Sequence, residues 1–243
     1  MTAGGAAPAV DPLAGAEVVD ELASFGIRAF TTGRAAGSFG LHGAEPVGDV
    51  TARWDALRHV LASGGPRLAS AHQVHGDRVV VHGDAWEGWL RVDAADGHAT
   101  CARGTALVVT VADCVPVFVA HPSGAVALLH SGWRGTEARI VERGIEALTH
   151  RGLPASELHV HLGPAICGRC YEVSADVHAR LTGHRPAKPT PVDLRALIAS
   201  HARAAGVRHV TMSERCTRCD NERFYSHRAG DPGRQLGVII ADM

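Results

Sequence analysis

With 243 residues, 46% of them hydrophobic, the chain can bury a full core and falls in the size range of one large domain. Its 24 Lys and Arg stand against 25 Asp and Glu for a net charge of −1, and the basic residues are scattered, so the phosphate-neutralising face that nucleic-acid binding requires is missing. No apolar run reaches the roughly 18 residues of a membrane span, and the opening residues lack the basic start and apolar block of a signal peptide, so the chain is expected to be cytoplasmic.

Residues 1–20 begin with MTAGGAAPAVDPLAGA, a stretch poor in core-forming side chains. It reads as a flexible tail ahead of one domain over 21–243. Runs of strand length and composition follow at Ile27–Thr32, Val79–Val81, Leu107–Val111, Val115–Ala120 and Ala125–His130. Thr136–His150 then places Ile140, Val141, Ile145 and Leu148 at helical spacing, with Gly152 beyond its end. A strand at His159–Leu162 precedes a second helix, Asp193–Ala205, which sets Leu194, Leu197, Ile198 and His201 on one face. Asp193 suits the N-cap of that helix and Gly206 its stop. Val238–Ala241 is the last strand. Strands and helices interspersed without a strict βαβ rhythm predict an α/β fold of the α+β type, with mixed sheets covered by helices.

The chemistry gathers around Cys114, in the short connection between two apolar runs, where Pro116 biases Val115 away from helix. His130 closes another strand, just before Ser131-Gly132, Arg134 and a helix start at Thr136 whose free amides would favour anions. His75 waits upstream in HQVHGDRV. A thiol with two imidazoles is either the ligand set of an open, catalytic-type metal site or the core of a Cys/His hydrolase, with Cys114 as nucleophile and His130 as base. Asp113 is a candidate acid/base or ligand-supporting carboxylate, with a strand-end hydrogen bond as the alternative.

Six cysteines in a chain without an export signal argue for thiols or metal ligands over a disulfide framework. Cys167-Gly-Arg-Cys170 and Cys216-Thr-Arg-Cys219 form two CxxC pairs, read either as reduced thiols or as four thiolates closing a structural zinc site. Among the 16 histidines, His159-Val-His161 is a lone HxH pair, too few for the clustered copper ligands of a multicopper oxidase, and reads as a polar strand face.

Five segments carry a resemblance. HQVHGDRV (His72–Val79), ADCVPV (Ala112–Val117), HSGWRG (His130–Gly135), GPAI (Gly163–Ile166) with Tyr171-Glu172-Val173, and Cys216-Thr217 with Asn221 and FYSHR (Phe224–Arg228) occur in family order. Together they resemble the YfiH/laccase-domain family, also called polyphenol oxidase-like, purine nucleoside phosphorylase-like or peptidoglycan editing factor proteins. The resemblance implies an α/β sandwich related to the cytotoxic necrotizing factor catalytic domain, with Zn²⁺ rather than copper held by His75, Cys114 and His130. It also implies phosphorolysis of adenosine, inosine and S-methyl-5'-thioadenosine, with adenosine deamination alongside, a chemistry that zinc-activated water suits. Purine nucleoside and phosphate are then the partners, with Arg134 the leading phosphate contact, and a monomer is expected. A cysteine amidase acting on cell-wall precursors and a non-catalytic nucleoside-binding module are the other readings. Two departures stand out. Thr31-Thr32-Gly33-Arg34 runs quickly to Gly40-Leu41-His42, a shortened loop expected to border the nucleoside, and Ser226-His227-Arg228-Ala229 replaces the family's SYRR.

Overall fold

The structure is a computed structural model that describes residues 11–43 and 45–243. In chain order the elements are β1 (Glu17–Val18), β2 (Ile27–Thr31), α1 (Val47–Ala62), β3 (Arg67–Ala71), β4 (Val79–His82), β5 (Gly88–Val92), β6 (Gly97–Thr100), β7 (Thr105–Val111), β8 (Val115–Ala120) and β9 (Val126–Ser131). There follow α2 (Trp133–Glu137), α3 (Ile140–Thr149), β10 (His159–Leu162), β11 (Glu172–Val173), α4 (Ala175–Thr182), β12 (Thr190–Pro191), α5 (Leu194–Ala204), β13 (His209–Met212) and β14 (Gln235–Ala241). They build two mixed six-stranded sheets, ordered β1-β2-β14-β7-β3-β5 and β13-β10-β8-β9-β6-β4, and a small β11-β12 pair.

The sheets pack face to face, with helices outside them. Leu107, Val109 and Ile239 of the first sheet meet Phe118, Val126 and Leu128 of the second in a shared core. Alternate residues of the same strands point the other way. Val108, Val238 and Ile240 receive Val50, Trp54, Leu57 and Leu61 of α1, while Val117, Val119, Ala127 and Leu129 receive Ile140, Ile145 and Leu148 of α3 and Ile198 of α5. Strands buried on both faces have no polar side to alternate with, which is why their sequences read as continuous apolar runs.

All seven predicted strands form, with ends shifted by up to three residues. The Asp193 cap also forms, its side chain accepting from the Ala196 amide at 3.1 Å. The predicted helix at Thr136–His150 is instead two helices. α2 begins at Trp133, and Arg139 in left-handed backbone (φ 60°) separates it from α3. The Thr136 amide donates to the Gly132 carbonyl at 2.8 Å, so it is not the free anion-binding donor expected there. Of the stretch expected as a tail, residues 11–20 fold onto the first sheet, where β1 pairs with β2 and Val19 is buried. Residues 1–10 lie outside the described residues.

Strand pairing assembles the site. In the β8–β9 ladder Val115 lies opposite Ser131 and Pro116 opposite His130, which sets Cys114 beside the end of β9. On the other flank β6 pairs with β9, and the His130 amide donates to the Asp96 carbonyl at 2.7 Å. The loop after β3 then brings in His75.

Candidate functional site

His75, Cys114 and His130 each offer a ligand atom, and all three atoms lie within 4.8 Å of one another. Asp96 organises them. Its carboxylate is fully buried and accepts four N–H groups. The His130 Nδ1–H (2.8 Å) and the His75 amide (2.9 Å) donate to Oδ1, and the Val74 (3.1 Å) and Gly76 (2.8 Å) amides to Oδ2. The three backbone bonds fix a tight loop in which His75 sits at φ 61°, a conformation seldom taken by a residue with a side chain. The bond to His130 fixes its tautomer and leaves Nε2 for the site.

The electrostatics suit an anionic sulfur. Burial pushes the Cys114 thiol up, but the His130 and His75 imidazoles outweigh it and bring it down to about 6. For His130, burial pushes the imidazole down, yet Cys114 and Asp96 raise it to about 9. The two shifts run in opposite directions and favour the same form of the pair, a thiolate beside an imidazolium. Gly132 is required by close approach, since a Cβ there would lie 2.9 Å from Cys114 Sγ and 3.3 Å from His75 Cδ2.

The trio opens into a cleft of about 370 Å³, within the range of roughly 300–1,000 Å³ for small-molecule sites. Arg91 and Arg234 place two guanidinium groups in its walls, His42, His72 and His227 add imidazoles, and Leu41, Val108 and Pro232 supply apolar surface. Gln73 ties the His75 loop to β7: its amide oxygen accepts from the Thr110 N–H at 2.7 Å and its amide nitrogen donates to the Thr110 carbonyl at 2.9 Å. The shortened loop does border the cleft, through Gly40–Gly43, and so does His227 of the altered SHRA block.

The other two sequence candidates sit differently. Asp113 is buried at φ 79°, its carboxylate accepting from the Thr217 hydroxyl and the Arg228 amide, each at 2.6 Å. Its geometry is that of a brace behind Cys114. Arg134 is exposed, its guanidinium 4.4 Å over the Trp133 ring, and it is not among the residues lining the cleft. His159 stacks on His209 with centroids 4.4 Å apart, and His161 Nδ1 lies 2.9 Å from the Thr211 hydroxyl, so the HxH pair is engaged on its strand face. The sequence reading missed the role of Asp96, together with Arg91 and Arg234. Asp96 directly precedes β6, but the three amides that define it become visible only once the loop is folded.

Fold and site together place the chain in the laccase-domain class of α/β proteins. It belongs to the family described as "Multi-copper polyphenol oxidoreductase laccase", whose model matches residues 32–242. Among its relatives are a purine nucleoside phosphorylase of Mycobacterium tuberculosis, 37% identical over 233 residues and covering 88% of this chain and 91% of that one. Another is a purine nucleoside phosphorylase of Streptomyces griseus, 34% identical over 211 residues with 84% and 85% covered. The solved structure of YlmD from Geobacillus stearothermophilus superposes with a TM-score of 0.83 at 29% identity, covering 90% of this chain and 94% of that one. The hypothetical protein YfiH of Bacillus licheniformis shares the fold at a TM-score of 0.85 and 22% identity, with 95% and 97% covered. Among the described residues, no helix is long and apolar enough to cross a membrane.

Proposed function

We propose that this chain is a zinc-dependent purine nucleoside phosphorylase acting on adenosine, inosine and S-methyl-5'-thioadenosine, with adenosine deamination as a second activity of the same site. The observation that carries the proposal is the convergence of His75, Cys114 and His130 at a cleft lined by Arg91 and Arg234. The donor set fits zinc: two imidazoles and a thiolate are borderline-soft ligands, and Asp96 supplies the hydrogen bond that metal-ligating histidines make through their other nitrogen. When bound, the metal would supply Lewis-acid chemistry to the group in its fourth coordination position.

Phosphorolysis asks the chain's own residues for two things. Inorganic phosphate must be aligned on ribose C1′, and charge must be stabilised on the base as the C1′–N9 pair of electrons leaves with it. Arg91 and Arg234 are the cations placed for phosphate, a role for which Arg134 is less well placed. His42, His72 and His227 are the groups that could give the departing base its proton. The apolar wall at Leu41 and Val108 suits a flat purine.

A second reading has its own support. Cys114, His130 and Asp96 also form a nucleophile, base and orienting carboxylate, and the lowered thiol would serve a cysteine hydrolase. What favours metal is His75, since a nucleophile needs one base and this thiol has an imidazole on each side. The test is release of hypoxanthine from inosine by zinc-loaded protein. Release that requires phosphate and is lost on chelation supports the phosphorylase. Activity that survives chelation but falls to alkylation of Cys114 moves the assignment to the hydrolase, and no base release at all defeats the phosphorylase.

A further inference from the structure

Outside the cleft the fold gathers a second set of soft donors. Cys167, Cys170, Cys216 and Cys219 bring their Sγ atoms to within 4.8 Å of one another. The two CxxC segments are far apart in sequence, one following β10 and the other following β13. A parallel bridge between Ala165 and Cys216 joins them, supported by the Thr217 amide donating to the Ala165 carbonyl at 3.2 Å.

Each segment is a knuckle. The amides of Cys170 (2.9 Å) and Tyr171 (3.1 Å) both return to the Cys167 carbonyl, and the Asp220 amide returns to the Cys216 carbonyl at 2.8 Å. Such turns aim both cysteines of a CxxC at one point. Across the junction the Cys167 amide donates to Cys216 Sγ at 3.2 Å, which ties the two knuckles together. Cys170 and Cys219 lie with their sulfurs 3.5 Å apart. Tetrahedral zinc with Zn–S bonds of about 2.3 Å places its sulfurs about 3.8 Å apart, the spacing to which this cluster is already close. Gly168, between the first pair, fits because a Cβ there would come 2.9 Å from the Asp193 side chain, so this knuckle is pressed against the cap of α5.

We propose that Cys167, Cys170, Cys216 and Cys219 form a closed tetrathiolate zinc site that clamps the two loops behind the cleft. Binding Zn²⁺ releases the remaining thiol protons to solvent and leaves a centre of net charge −2, beside which each knuckle carries an arginine, Arg169 or Arg218, at the same position. The clamp lies one residue from the cleft's frame. Thr217, next to Cys216, donates its hydroxyl to Asp113 at 2.6 Å, and the Ile166 amide, next to Cys167, donates to the Asp113 carbonyl at 3.0 Å. Both knuckles thus hold the left-handed turn that presents Cys114, and the metal's part is to position that turn. The site is built from different residues than the cleft trio and stands without the zinc reading of that trio.

The test is metal content and X-ray absorption on reduced, zinc-supplemented full-length protein, with Cys114→Ser used to remove the cleft site. The expected result is one zinc equivalent in Cys114→Ser, with an all-sulfur shell at about 2.3 Å. Cys170→Ser/Cys219→Ser should lose that equivalent, and amide exchange around Asp113 and Thr217 should speed up. If the wild type itself holds a single zinc with an all-sulfur shell, the clamp stands and the cleft loses its metal. If Cys114→Ser holds no zinc, or its shell contains nitrogen, or mass measurement of the native protein finds these cysteines paired as disulfides, the proposal is overturned. The wild-type measurement decides the matter even where a variant does not fold.

Discussion

Replacing Asp96 with Asn tests how far one buried carboxylate sets up the site. The carboxylate receives two donors on each oxygen: His130 Nδ1–H and the His75 amide on Oδ1, and the Val74 and Gly76 amides on Oδ2. An amide has one acceptor oxygen, so either placement of the new side chain leaves two buried donors facing an NH₂ group. Each unsatisfied buried donor costs about 1–3 kcal/mol, so the loss is on the order of 3 kcal/mol. For a chain of this length that lowers Tm by roughly 6–12 °C. Should the NH₂ face His130, the ring must present Nδ1 as acceptor and carry its proton on Nε2, the nitrogen turned to the site. Zinc affinity is then expected to fall about 10- to 100-fold. Thermal unfolding with chelator present reads the first effect, and competition for zinc against a chromophoric chelator reads the second. An Asp96→Asn protein with unchanged Tm and unchanged zinc affinity would refute the claim that this carboxylate organises the loop and the ring.

Gly132→Ala is expected to cut zinc affinity and turnover at least about 10-fold, because the added methyl must displace Cys114 Sγ or His75; a fully active variant would show that the trio does not act together. Arg234→Ala and Arg91→Ala are expected to raise KM for phosphate more than KM for inosine, and equal changes in both would remove these arginines from the phosphate role. His98 is buried against His82 at 2.9 Å, and burial lowers it from 6.5 to about 3. The unfolded chain therefore takes up this proton first as pH falls, and stability is lost from about pH 6.5 downward by up to about 1.4 kcal/mol per pH unit. Denaturant unfolding at several pH values should show a shallower slope in His98→Leu, and parallel slopes would mean that His98 is not the group responsible.

What the sequence discloses follows from where each signal is stored. The strands β7, β8, β9 and β14 are legible because both their faces are buried, so apolar composition alone marks them. Strands β3 (RLASA) and β6 (GHAT) carry small and polar residues and show no such mark. Helix α1 has Val50, Trp54, Leu57 and Leu61 at helical spacing, but Ala52, Ala56, Val60 and Ala62 on its other sides blur the stripe. The break between α2 and α3 has no sequence mark, for Arg139 adopts φ 60° without glycine's freedom.

The site divides along the same line. Cys114 and His130 are legible because they sit at strand ends beside unusual residues, and the β8–β9 ladder carries out what that position implies. Asp96 and the cleft arginines owe their roles to contacts between segments that no local pattern records. Asp96 is joined to His130 only through the pairing of β6 with β9, and to His75 only through a loop held in left-handed backbone. Thr217 and Asp113 meet only because β10 and β13 run parallel side by side and deliver both knuckles to one place. The two candidate metal sites would therefore be coupled through backbone: loosening the Cys167–Cys216 junction would free the buried Asp113 turn, and with it the ligand that this turn presents, Cys114.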